Sequence, residues 1–130
     1  MREPVWVERI VVEAVHLDQL REHGGLYGLR DENALESALA RARNKWAYDS
    51  VQDIATLAAA YGYGLATNHP YQDGNKRISF LITVVFLGLN GWDFEAPEEE
   101  VVTVMLAVAS NRCSEAELAN WIRSRIVLAP

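Results

Sequence analysis

Residues 69–92 read HPYQDGNKRISFLITVVFLGLNGW, a short polar stretch that runs directly into the most apolar part of the chain. How this junction is read decides the fold. Pro70 and Asp73-Gly74 are loop formers, so regular structure breaks at the junction. From Asn75 or Lys76 the chain resumes as a helix to about Leu89. Upstream, IATLAAAYGYGLAT (Ile54 to Thr67) is a second helical segment, rich in small side chains. Small residues let neighbouring helices approach closely, which puts this segment near the centre of the fold.

Helical patterning continues outward in both directions. In VERIVVEAVHLDQLREHGG, Ile10, Val11, Ala14, Val15 and Leu17 form an apolar stripe that ends at Gly24-Gly25. GLYGLRD reads as a loop, and Asp31 is placed to cap ENALESALARAR, whose stripe is Leu35, Ala38, Leu39 and Ala42. NKWAYDS, Asn44 to Ser50, interrupts the pattern and is expected to be extended. Ser50 or Asp53 can cap the helix that follows. NGWDFEAP reads as a turn with a short extended piece, and Pro97 with Glu98, Glu99 and Glu100 opens a helix with acidic residues at its positive end. Ser114 to Glu117 form a capping-box pattern leading into the helical segment LANWIRSRIVL. The expectation is one all-α domain, residues 1–130, of about six helices with no sheet beyond a short extended flap.

Composition narrows the function classes. The chain has 130 residues, half of them hydrophobic, with four Trp, five Tyr and three Phe, so it can bury a real core. A net charge of −6 argues against direct nucleic-acid binding, which needs clustered cations. The lone Cys113 excludes an intramolecular disulfide and any Cys-based zinc cluster. The N-terminal MREPVWVERI has no signal-peptide pattern, and the apolar run from Ile78 to Leu89 is too short to cross a bilayer. A cytoplasmic protein with no membrane association is expected.

The loop itself carries chemistry. A helix starting near Asn75 leaves its first amides unpaired, and Gly74 lets the chain turn tightly so that they converge on an anion. Asn75, Lys76 and Arg77 add donors there, although cations at a helix N-terminus oppose its dipole. A bound phosphate removes that conflict. Asp73 is the loop's only carboxylate, and Mg²⁺ needs only one or two beside phosphate oxygens. His69 stands where a neutral imidazole could take a proton from an incoming hydroxyl. A plain helix–loop–helix turn accounts for the Pro and the Gly but not for the His, Lys and Arg. His16 and His23 lack paired zinc-ligand spacing and read as structural or surface residues.

The nine residues HPYQDGNKR resemble the signature loop of the Fic/Doc superfamily, HxFx(D/E)GN(G/K)R, with Tyr71 in place of Phe. HLDQLREHGG, GLRDENALESALARAR and the apolar helix ending LNGW are similar to the Doc branch, the death-on-curing toxins of bacterial toxin–antitoxin pairs. The resemblance implies His69 as base, Asp73 as Mg²⁺ ligand, Gly74 and Asn75 as part of the anion cradle, and Lys76 and Arg77 on the phosphates of ATP. Fic adenylyltransferases carry Gly at the Lys76 position and a second Arg where this chain has Phe80; both departures are shared with Doc. They imply transfer of the γ-phosphoryl of ATP to a threonine of elongation factor Tu, halting translation. The alternatives are an adenylyltransferase and a non-catalytic phosphate-binding module. No (S/T)xxxE(G/N) inhibitory motif occurs, so restraint is expected from an antitoxin whose C-terminal helix binds this protein. The family's extended target-binding flap is expected at Asn44–Ser50, with Trp46 and Tyr48 as contacts.

Overall fold

The computed structural model describes all 130 residues, Met1–Pro130. Its elements in chain order are α1 (Arg9–His23), α2 (Glu32–Asp49), α3 (Ile54–Asn68), α4 (Asn75–Leu89), β1 (Trp92–Phe94), α5 (Glu98–Ala109), α6 (Glu115–Arg125) and β2 (Ile126–Leu128). The fold is all-α apart from one antiparallel strand pair, with six helices as the sequence predicts.

α3 is the central post. Eleven of its 15 residues are buried, and α2, α4 and α6 pack around it. Its glycines set how close they come. A Cβ on Gly62 would lie 2.6 Å from Thr83 Oγ1, and one on Gly64 would lie 3.2 Å from Ala38 Cα. At the first crossing Ser79 Oγ donates to the Gly62 carbonyl at 2.6 Å, so two buried polar groups satisfy each other. Around this post 25 buried residues form one hydrophobic cluster.

Local stop and start signals act where they stand. α1 ends at Gly24, whose φ of 76 with ψ of 180 suits only glycine; Asp31 accepts from the Ala34 amide; Ser114 and Glu117 complete a capping box. Asp53 is the N-cap of α3, although its side chain turns to Thr56 and Arg123 instead of the backbone.

Three expectations fail, each for a tertiary reason. The buried face of α1 is Val12, His16 and Leu20, while Ile10 is 76 % exposed and Val11 also faces solvent. The segment expected to be extended, Asn44–Ser50, continues α2 to Asp49, and Ser50 caps it with φ 54. Half-buried Trp46 packs on the core and Lys45 Nζ pairs with Glu115 at 3.3 Å, contacts that favour one more helical turn over local propensity. Finally, LANWIRSRIVL is not helical throughout. Its β-branched end leaves α6 at Arg125 and pairs as β2 with β1 in the register Trp92↔Leu128, Asp93↔Val127, Phe94↔Ile126.

Candidate active site

α3 delivers His69 to the site. The residue is the C-cap of the helix and adopts the left-handed conformation, φ 47 and ψ 58, which costs a residue with a Cβ about 1–2 kcal/mol. The GLYGLRD segment holds it there. Arg30 donates from Nε to the His69 carbonyl at 2.7 Å and from Nη2 to the Asn68 carbonyl at 2.9 Å, capping the end of α3. The amides of Arg30 and Asp31 donate to the Pro70 carbonyl at 2.7 and 3.1 Å, and the Gln72 amide donates to the Gly28 carbonyl at 3.0 Å. Leu29 and Tyr71 meet as an isolated antiparallel bridge. A segment the sequence marks only as a loop is therefore a splint for the polar one.

Within the loop, Asn75 is a staple. Its Oδ1 accepts from the Tyr71 amide at 3.0 Å and its Nδ2 donates to the Tyr71 carbonyl at 2.9 Å. The side chain is thereby committed to the loop, and only its backbone amide is left for an anion. Tyr71 anchors the loop in the core at 5 % exposure, and its hydroxyl finds no hydrogen-bond partner. Burial, reinforced by the nearby Glu13, pushes its phenol up to about 12.

Asp73 is held from the side of α1. The Leu26 amide donates to Oδ2 at 2.8 Å. Gly25 makes that approach feasible, because a Cβ there would sit 3.3 Å from Asp73 Cβ at a φ of +124° that side chains rarely adopt. Oδ1 accepts no protein donor. Gly74, with φ 83 and ψ 11, opens α4, whose first ladder bond runs from the Ile78 amide to the Gly74 carbonyl at 2.9 Å. The amides of Asn75, Lys76 and Arg77 lie ahead of that bond and have no protein acceptor. Neither Lys76 nor Arg77 pairs with a carboxylate, although ion pairs engage six of the other Lys and Arg residues: Arg9, Arg41, Arg43, Lys45, Arg123 and Arg125.

These groups share one cleft of about 470 Å³, lined by His23, Gly24, Gly25, His69 and the stretch from Gln72 to Arg77, with Ala109 of α5 opposite. The predicted residues His69, Asp73, Gly74, Asn75, Lys76 and Arg77 are thus brought together. Trp46 and Tyr48 are not. They sit on the last turns of α2, beside the start of α3, whereas His69 follows its other end. Fifteen residues of helix at ~1.5 Å each separate the two places by roughly 20 Å. No group of three or more His, Cys, Asp or Glu side chains could cage a metal ion. A single carboxylate beside free amides and two cations instead suits Mg²⁺ that arrives with phosphate oxygens.

Residues 6–87 match the model of the Fic/Doc family. The chain belongs to that family. It is 30 % identical over 111 residues to "Protein kinase doc" of Escherichia phage P1, covering 85 % of this chain and 86 % of that protein. It is 34 % identical over 107 residues to "Toxin Doc" of Mycolicibacterium smegmatis, covering 75 % and 81 %. The Fic/Doc match runs from Trp6 to within two residues of the end of α4, so it takes in the splint, the loop and the helix that receives it. Sequence reasoning missed the residues that hold the loop from outside the cleft: Arg30, Leu26 and His16, whose Nε2 lies 2.8 Å from the Asp73 carbonyl oxygen. The signal for His16 was its register with Val12 and Leu20, hidden behind the more hydrophobic Ile10 and Val11. No helix is long and apolar enough to cross a membrane.

Proposed function

We propose that this protein is a Doc-type toxin that transfers the γ-phosphoryl of ATP to a protein hydroxyl, with a threonine of elongation factor Tu as acceptor and arrest of translation as the result. One observation carries the reading. Beside His69 and Asp73, the cleft holds two cations without carboxylate partners and a helix N-terminus whose amides lack acceptors. Such a place is made for a polyphosphate. His69 takes the proton of the acceptor hydroxyl on its imidazole as the phosphorus–oxygen bond forms. Lys76, Arg77 and the α4 amides hold the transferring phosphoryl and the leaving ADP, whose charge shifts as the bond to the γ-phosphorus breaks. Asp73 would hold Mg²⁺, which neutralises phosphate charge when bound.

Phe80 favours phosphoryl over adenylyl transfer. It stands where adenylyltransferases carry a second Arg, and its half-buried ring packs edge-on to Phe94 with ring centroids 5.5 Å apart. The test uses purified elongation factor Tu and ATP labelled on either phosphorus. Label from the γ-phosphate on the target is expected. Label from the α-phosphate alone would make the protein an adenylyltransferase, and no label from either would remove elongation factor Tu as the target.

An antitoxin completes the reading. An apolar groove of about 350 Å³ adjoins the cleft and shares Lys76 and Arg77 with it. Phe80, Val102, Met105 and Leu106 line it, and Val102 and Leu106 are half exposed. The amphipathic C-terminal helix of an antitoxin would lay its apolar face there and cover the two cations. Co-expression with the neighbouring gene should relieve growth arrest and yield a complex. A chain that is harmless when expressed alone would overturn the toxin reading.

A further inference from the structure

His16 occupies the middle of the buried face of α1, between Val12 and Leu20, and is 3 % exposed. An aliphatic side chain would fill that place on packing grounds alone. The imidazole has a specific partner instead. Its Nε2 lies 2.8 Å from the backbone carbonyl oxygen of Asp73, and a carbonyl can only accept, so the ring carries its hydrogen on Nε2. One face of the ring stacks on Tyr71 with centroids 3.7 Å apart and planes at 15°. A Cβ on Gly74 would come within 3.6 Å of the same Nε2. His16 therefore sits directly behind the 73–74 peptide. It lines the hollow shared with Tyr71 and Gly28, not the cleft of His69.

The planarity of the peptide gives this contact a consequence. In a trans peptide the C=O and N–H point in opposite directions. With the Asp73 oxygen turned toward α1, the Gly74 N–H is turned toward the cleft. There it extends the row of amides from Asn75, Lys76 and Arg77, and like them it has no protein acceptor. Glycine offers little steric resistance to rotation of the preceding peptide. A flipped peptide would put a carbonyl oxygen among those amides, where an anion has to sit. The Leu26 amide fixes the Asp73 carboxylate but does not touch the peptide plane. His16 is the one protein donor to the Asp73 carbonyl.

We propose that His16 is a positioning residue of the anion site: by donating from Nε2 to the Asp73 carbonyl it locks the 73–74 peptide with the Gly74 N–H aimed into the cleft. The lock raises the fraction of molecules whose cradle is ready for phosphate. Losing it lowers the apparent affinity for the anion and leaves chemistry in the correctly formed fraction unchanged. That signature is opposite to the one expected for His69.

The size of the effect rests on the reading of the cleft as an ATP site. Two variants separate the hydrogen bond from packing. His16→Phe keeps a ring against Tyr71 and removes the donor, while His16→Gln places an amide nitrogen near the position of Nε2 and removes the ring. Calorimetric titration with ATP and Mg²⁺, and kinetics where transfer is measurable, are run on both variants and the wild type. If loss of the donor leaves about a tenth of the molecules competent, His16→Phe raises KM and Kd for ATP about tenfold with kcat within a few-fold of wild type. His16→Gln should restore most of the affinity even if its thermal midpoint is lower. Wild-type affinity in His16→Phe would overturn the proposal, as would losses that follow thermal stability in both variants. The NMR chemical shift of the Asp73 carbonyl carbon, which reports the hydrogen bond to that oxygen, is measured on the same proteins without nucleotide. It should move in His16→Phe and return toward wild type in His16→Gln, and an unmoved resonance in His16→Phe would overturn the lock. A wild-type protein that binds no ATP would defeat the proposed function, and this shift pattern would still decide the role of His16.

Discussion

The two ends of α3 make an instructive pair. The chain enters the helix through Ser50 to Asp53 and leaves it through His69 to Gly74. Each turn places a residue other than glycine in the left-handed region, Ser50 at φ 54 and His69 at φ 47, and each contains an aspartate. At the entrance, burial alone would raise the Asp53 carboxyl. Hydrogen bonds from Arg123 and Thr56, with the Arg123 charge, outweigh that and hold it below the usual carboxylate range. At the exit, Asp73 receives one backbone amide, and the adjacent Lys76 and Arg77 have no carboxylate at all. A left-handed residue and an aspartate do not by themselves distinguish the two turns. What differs is whether the charges are neutralised inside the fold: the entrance pairs Asp53 with Arg123, and the exit leaves Lys76 and Arg77 without carboxylate partners.

The largest contrast lies in activity. His69→Ala and Asp73→Asn at the exit should each reduce transfer by about 10²–10⁴, the typical worth of a general base or of a comparable charged group in the site. Thermal midpoints should stay close to wild type, because neither side chain is part of the core. A folded His69→Ala variant that keeps full toxicity would make both turns structural and erase the comparison.

Tyr71→Phe sharpens the contrast from the stability side. The hydroxyl it removes is buried without a partner, an arrangement that costs about 1–3 kcal/mol, so the variant should match or exceed wild-type stability at neutral pH. The alkaline limb gives the sign. Below pH ~10 the phenol is protonated in both states and its contribution is constant. As pH rises from there toward about 12, the unfolded chain ionises first and draws the protein toward unfolding. Wild type should lose up to ~3 kcal/mol over that window from this group, and Tyr71→Phe should not. Denaturant midpoints at pH 7 and above pH 10 measure both effects. A destabilised Tyr71→Phe would reveal a hydroxyl partner in solution.

The smallest effect belongs to the entrance. Asp53→Asn should lower stability by about 0.2–1 kcal/mol, since its ion pair with Arg123 is largely exposed, and leave transfer untouched. Because the folded carboxyl titrates below its ordinary value, its contribution is present above pH ~4 and fades as pH falls through the folded value. The variant should therefore show a flatter acid limb in urea denaturation. Transfer lost as deeply as in Asp73→Asn would mean that the two ends of α3 are coupled.

Much of the site was legible because it is compressed into nine consecutive residues. His69, Asp73 and the α4 N-terminus come together through one turn, so spacing along the chain is close to spacing in the fold. The extended flap expected at Asn44–Ser50, with Trp46 and Tyr48 on it, is helix to Asp49 instead, because no local feature of that stretch records that Trp46 packs on the core and Lys45 reaches Glu115. With the helix continued to Asp49, Tyr48 is 81 % exposed at the far end of α3 from His69.

The sequence by itself determined what short-range physics can specify: the Asp31 and Ser114 caps, the stop at Gly24, the central small-residue helix, and the loop with its chemistry. Each depends on groups within a few residues of one another, whose bonds form in almost any compact arrangement. Only the tertiary structure decided which face of α1 is buried, where α6 yields to β2, and which charges are neutralised. Those outcomes depend on partners far apart in the chain, such as His16 and Asp73 at 57 residues or Asp53 and Arg123 at 70. Their meeting is set by the packing of whole helices around α3, and no local pattern records it.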